Sequence, residues 1–225
     1  MESVVAHPLY ADAWTNLAWL YLDEHRYGHN RIDAPLPPLD RAIDAARKAL
    51  TLQPDDARAH LVMAILQFFK RDLERFEQHA GFALTLNEND PVVAAELGLR
   101  FGLQGEWERA LPLLDRVVRR EPIKWQMYRL AYAFHDIETG NYAAALDELR
   151  SSRIADHAAV RAARASVYGH LGRIREAREE WQSVARVIPE FTDAPRFWFA
   201  DRGTSPRLIC GLMEGLDKAG ALTDN

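Results

Sequence analysis

A single cysteine in 225 residues leaves this chain without an internal disulfide and without a cysteine-based zinc site. That residue, Cys210, reads as a small buried thiol, because neither it nor His170 has a nucleophile or base partner at a recognisable spacing. Also missing is any apolar window of about 18 residues that could span a bilayer. Met1 to His7 lacks the basic start and apolar core of a signal peptide. A soluble, cytoplasmic protein with no membrane contact is expected. Basic runs are absent too. With 28 Lys and Arg against 33 Asp and Glu the formal charge is −5, so no nucleic-acid footprint is visible. Asp23, Glu24, His25, His29 and Asp33 crowd together, but without the H-E-x-x-H or H-x-x-E-H spacing that holds zinc, so they read as a polar loop. Gly98-x-x-x-Gly102-x-x-Gly105 has no preceding strand and no following Lys-Ser/Thr, which excludes a phosphate cradle. No catalytic residues, no cofactor and no metal are therefore expected, and the chain reads as a non-enzyme.

What is present is enough apolar material to fold: 48% of residues are hydrophobic and 27% charged, too apolar a mixture for a disordered chain. Between Val92 and Pro122 that material falls into a definite pattern. Leu97-Gly98-x-x-Phe101 sets a large residue, a gap and an aromatic on one helical face. Gly105 breaks the helix, Trp107 opens a second, Ala110-x-x-x-Leu114 supplies a second small-then-large pair, and Pro122 ends it. Small residues at Gly98 and Ala110 let two helix axes close to roughly 8–10 Å. The pattern recurs: Ala64 to Gly98 is 34 residues, Gly98 to Ala131 is 33 and Ala131 to Ala165 is 34.

L-G-x-x-aromatic, then A-x-x-x-large, then Pro within about 34 residues resembles the tetratricopeptide (TPR) repeat. The resemblance implies an all-α, right-handed superhelix of about five antiparallel helix hairpins. Residues 1–199 then form the array, with repeats at 11–54, 57–90, 91–122, 124–155 and 158–189, and residues 200–225 form a capping segment with a helix from Pro206. In the first repeat Ala18 to Ala42 is 24 residues where Gly98 to Ala110 is 12, so 12 residues are inserted; the Pro-rich loop within 24–38 accommodates them. Residues 1–9 read as the end of a helix closed by His7-Pro8, so a longer protein or a lost upstream helix is expected. Phe191, Pro195, Phe197, Trp198 and Phe199 gather as an aromatic cluster ahead of the cap.

Both ends of the chain, Ala13-Trp14-x-x-Leu17-Ala18-Trp19-Leu20-Tyr21-Leu22-Asp23-Glu24 and Gly211-Leu212-x-x-Gly215-Leu216-x-Lys218-Ala219-Gly220, are similar to the C-terminal TPR region of bacterial class III nucleotide cyclases or winged-helix regulators. That narrower resemblance implies a regulatory or sensory accessory domain. The broader one implies a protein-interaction scaffold. In a TPR stack the first helix of each hairpin lines the inner surface. Counting from the aligned small residues puts Trp19, Leu22, Ile65, Phe68, Phe69, Leu99, Leu103, Trp125, Tyr128, Tyr132 and His135 there. The set is mostly apolar or aromatic. The clamp of Lys, Arg and Asn with which some TPR domains hold a C-terminal carboxylate has no counterpart, because Thr15 and Trp19, Leu61 and Ile65, Ala95 and Leu99, Tyr128 and Tyr132 occupy its positions. The expected partner is a protein or peptide with an apolar face, an amphipathic helix for example.

Overall fold

The computed structural model describes residues 9–27, 34–121, 125–151 and 157–222. Every regular element among them is helical: α1 (Ala11–Tyr27), α2 (Pro38–Leu52), α3 (Ala57–Phe69), α4 (Leu73–Leu86), α5 (Pro91–Leu103), α6 (Trp107–Val118), a 3₁₀ turn (Gln126–Tyr128), α7 (Arg129–Glu138), α8 (Tyr142–Ser151), α9 (Ala158–His170), α10 (Ile174–Val187), the short α11 (Pro189–Asp193) and α12 (Pro195–Asp201), and α13 (Pro206–Lys218). The protein is an all-α helical repeat. It divides into two compact units, residues 1–97 and 98–225.

Local chemistry fixes the helix ends. Pro38, Pro91, Pro189, Pro195 and Pro206 each open a helix, where the missing N–H is no loss. The side chains of Asp56, Asp72, Asp90 and Ser205 accept hydrogen bonds from backbone N–H groups at the starts of α3, α4, α5 and α13. Hairpin turns follow one scheme. Gly105, Gly140 and Gly172 have φ of 82°, 80° and 71°, and the next residue's N–H returns to a carbonyl five positions back. In the α3–α4 turn the same place is held by Arg71, φ 63°, with Asp72 N–H bonded to Gln67 O.

In the 1–97 unit α1 packs on α2, α3 on α4, and α3 against both α1 and α2. Ala18, Ala42, Ala64 and Ala83 are wholly buried at the contacts, and Phe68 and Phe76 meet with ring centroids 5.4 Å apart. In the 98–225 unit α7 packs on α8, α8 on α9 and α9 on α10, around buried Ala131, Ala145, Ala165 and Ala177. Gly98 faces the α6 side chain Leu114, whose Cγ would sit 2.8 Å from a Cβ built on the glycine.

The inserted loop begins later than its composition indicates, since α1 stays helical to Tyr27 and carries Glu24 and His25. His29 and Asp33 lie outside the described residues, as does Pro122. Glu24 is buried against Arg41 at 2.9 Å, so it acts as an ion-pair partner in the packing. The aromatic cluster forms without one member: Phe191 stacks on Trp198 at 4.2 Å and touches Phe199 at 5.3 Å, while Phe197 is 72% exposed on the other side of α12. Cys210 is exposed rather than buried, because Leu208, Ile209, Leu212 and Met213 define the packed face of α13 and position 210 falls opposite. The C-terminal segment also differs from a simple end cap. α11 follows α10, with Phe191 against Trp181 at 5.8 Å, but α13 lies along α9 and α7.

Candidate functional site

The first helices of the hairpins carry the expected binding residues except Trp125 and Tyr128, which fall just before and in the 3₁₀ turn ahead of α7, and their surroundings differ between the two units. In the 1–97 unit Leu22, Ile65 and Phe68 are fully buried in packing and offer no surface. Trp19 and Phe69 are half-buried. Between them lies Arg26, its guanidinium carbon 5.8 Å from each ring centroid, in cation–π range. Arg26 Nη2 donates to Glu96 Oε2 at 3.2 Å, and His25 meets Phe69 edge-on at 5.2 Å. Beside this, Arg41 sits 4.4 Å from the centre of the Tyr21 ring while pairing with Glu24. Burial raises the Asp23 carboxyl above its ordinary range; Arg26 opposes the rise and Glu96 adds to it. This surface is therefore aromatic with ion pairs set into it, not purely apolar.

In the 98–225 unit Leu99, Leu103, Tyr132 and His135 are half-buried, whereas Trp125 and Tyr128 are almost fully enclosed, with ring centroids 5.8 Å apart. The Tyr132 hydroxyl donates to Asp115 Oδ1 at 2.7 Å, and Arg119 Nε reaches the same oxygen at 2.8 Å. Burial, then that bond to Asp115, raises the phenol well above its ordinary value, so Tyr132 stays a neutral donor. His135 meets Trp107 edge-on at 5.2 Å, and Trp107 Nε1 donates to Glu138 Oε2 at 2.9 Å. The other Glu138 oxygen accepts from Ser205 Oγ at 2.9 Å, at the start of α13.

Two features escape the sequence patterns. The pairs Arg26–Glu96 and Arg41–Glu24 join residues far apart in the chain, and no local spacing marks them. The contact of α13 with α9 had a visible signal, the four-residue step from Gly211 to Gly215, whose meaning depends on a partner helix that sequence does not identify. His170 is engaged in that contact: its ring stacks on Tyr142 at 3.9 Å and its Nε2–H donates to Gly211 O at 2.8 Å. Among the described residues no three metal-ligating side chains converge, and no helix is long and apolar enough to cross a membrane.

No protein-family model matches the chain, and no curated protein sequence matches it. Solved structures do. The Pseudomonas aeruginosa protein pilF matches with a TM-score of 0.63 at 16% identity, over 94% of this chain and 88% of that one. YrrB, a TPR protein with an unusual peptide-binding site, matches with a TM-score of 0.50 at 18% identity, over 88% of this chain and 96% of that one. At such identities the fold is what is shared, a TPR-type series of helical hairpins. These matches give no support to the narrower likeness to cyclase or winged-helix regulator regions.

Proposed function

We propose that this helical-repeat protein is a non-catalytic scaffold that binds a protein or peptide through aromatic and apolar side chains on the first helices of its hairpins. The observation that carries the reading is the partial exposure of Trp19, Phe69, Tyr132 and His135, each held in place by a polar or aromatic neighbour. Rings fixed in this way lose little conformational freedom on binding, which is the property of interface anchors. The fold shared with a protein described as having a peptide-binding site agrees with it.

Peptides selected from a displayed random library on the full chain test the proposal. They are expected to carry apolar anchors spaced i, i+3, i+7, as a helix laid on such a surface requires. Titrated against Phe69→Ala and Tyr132→Ala, they are expected to lose at least about tenfold in affinity, roughly 1.4 kcal/mol, for the unit they use. An affinity insensitive to both substitutions but collapsing with added salt would instead put binding on a charged outer face.

A further inference from the structure

The face assigned to binding in the 98–225 unit continues onto α9 with different chemistry. Relative to the aligned small residues Gly98, Ala131 and Ala165, the position one step on is Leu99, Tyr132 and Ser166, and the position four steps on is Gly102, His135 and Gly169. At the first position Leu99 and Tyr132 thus give way on α9 to the Ser166 hydroxyl, and at the second His135 on α7 gives way to the hydrogen of Gly169, as Gly102 already has on α5. α13 fills the space they leave. A Cβ on Gly169 would run into the Gly215 carbonyl, and a Cβ on Gly215 would run into the Ser166 carbonyl. Glycine inside a helix is unfavourable without such a reason. Here Gly169 and Gly215 let the backbones of α9 and α13 touch, and Gly211, four residues before Gly215, faces α7, where a built Cβ would lie 3.3 Å from Ile137 Cγ2; small residues spaced four apart permit such close crossings.

Three further observations set α13 apart from an ordinary end cap. It packs along α9 and α7, both first helices, and its N-terminal Ser205 N–H donates to Leu103 O at 2.7 Å, at the end of a third. The array holds it by the buried apolar face of Leu208, Leu212, Met213 and Leu216, and its polar contacts reach backbone: besides the His170 bond to Gly211 O, Arg178 Nε donates to Ala219 O at 3.1 Å. Backbone carbonyls exist on every helix, so these donors select a helix with small residues rather than a particular sequence. Finally, the chain reaches α13 through a reversal at Gly203, φ 81°, and Thr204, a short tether from α12.

We propose that α13 is a resident occupant of the first-helix face of the 98–225 unit, and that the partner of this face is a helix of the same kind, with small residues four apart and flanking leucines, which takes its place. The proposal rests on the reading of that face as the binding surface. A tether this short gives α13 an effective concentration in roughly the millimolar range or above, so a free helix competes only when it binds tightly or when α13 is weakened.

The probe is a labelled synthetic peptide of residues 204–221, added in trans. The full chain carrying Gly215→Leu, in which α13 cannot seat, is expected to bind the peptide at least about 100-fold more tightly than the unaltered chain does, with its helical circular dichroism retained. A peptide that itself carries Gly215→Leu is expected to bind neither chain. If the variant keeps its helix content but binds the peptide no better than the unaltered chain, the proposal fails. A second form decides the matter should the variant unfold: a protease site placed between Gly203 and Thr204 is cut after folding, and exchange of the severed helix for labelled peptide is followed. Exchange supports the proposal; a severed helix that stays bound against excess peptide for days makes α13 a permanent part of the core and overturns it. Neither result touches peptides that depend on Phe69, so the scaffold reading stands or falls separately.

Discussion

Arg71 holds a backbone conformation that its three counterparts meet with glycine. Its φ of 63° is in the left-handed region, where a Cβ crowds the following carbonyl, at a cost on the order of 1 kcal/mol. Arg71→Gly is therefore expected to stabilise the protein by a few tenths of a kcal/mol to about 1 kcal/mol, the gain being reduced by the freer unfolded chain, and to raise the thermal midpoint by up to about 4 °C. An unchanged or lower midpoint would count against the strain. A second single-residue effect is acid sensitivity. His79 Nδ1 lies 2.9 Å from His60 Nδ1, and burial, then His60, then Arg75 lower the His79 pKa to about 4. The unfolded chain takes up a proton near pH 6.5 and the folded one only near 4, so ν_U exceeds ν_N between them and stability falls as pH drops through that window. After screening at a half-buried ring the loss is on the order of 1–2 kcal/mol. Urea midpoints at neutral pH and at about pH 4.5 measure it, and His79→Gln should flatten the difference. His157, lowered by burial and then by Arg202, pushes in the same direction in the 98–225 unit.

Helices and hairpin turns were legible because each is written in local spacing: small residues at the crossings, prolines at starts, glycine in three of the four tight turns. Substitutions at glycines should separate the kinds of position. Gly98→Leu drives a side chain into Leu114 and is expected to cost about 1–3 kcal/mol. Gly81, inside α4 with nothing within 4 Å of a built Cβ, should behave oppositely, Gly81→Ala gaining roughly 0.5–1 kcal/mol from helix propensity alone. Equal effects in denaturant melts would show that Gly98 is not a packing contact. Phe197 and Cys210 were misread for one reason. Which side of an amphipathic helix is inward depends on where that helix docks, and short α12 and displaced α13 dock by contacts distant in sequence.

Across the whole chain the repeat pattern reached the fold but only part of the candidate surface. Counting along the first helices located Trp19, Phe69, Tyr132 and His135, but it also selected Leu22, Ile65 and Phe68, which neighbouring helices consume. It was silent on Arg26, Glu96 and Arg41, because ion pairs between helices, whether α1 with α2 or α1 with α5, leave no periodic trace. One bond carries a different kind of consequence. A linear repeat array needs only nearest neighbours, and it grows and frays one hairpin at a time. The hydrogen bond from Ser205 to Leu103, with α13 lying along α7 and α9, joins the last helix of the 98–225 unit to its first. That unit is a closed circuit. On a ribosome its hairpins wait unsealed until the final helix emerges, and in native-state hydrogen exchange the amides of α13 should open as one unit ahead of those of α7 and α9, with no graded fraying inward from the C-terminal end.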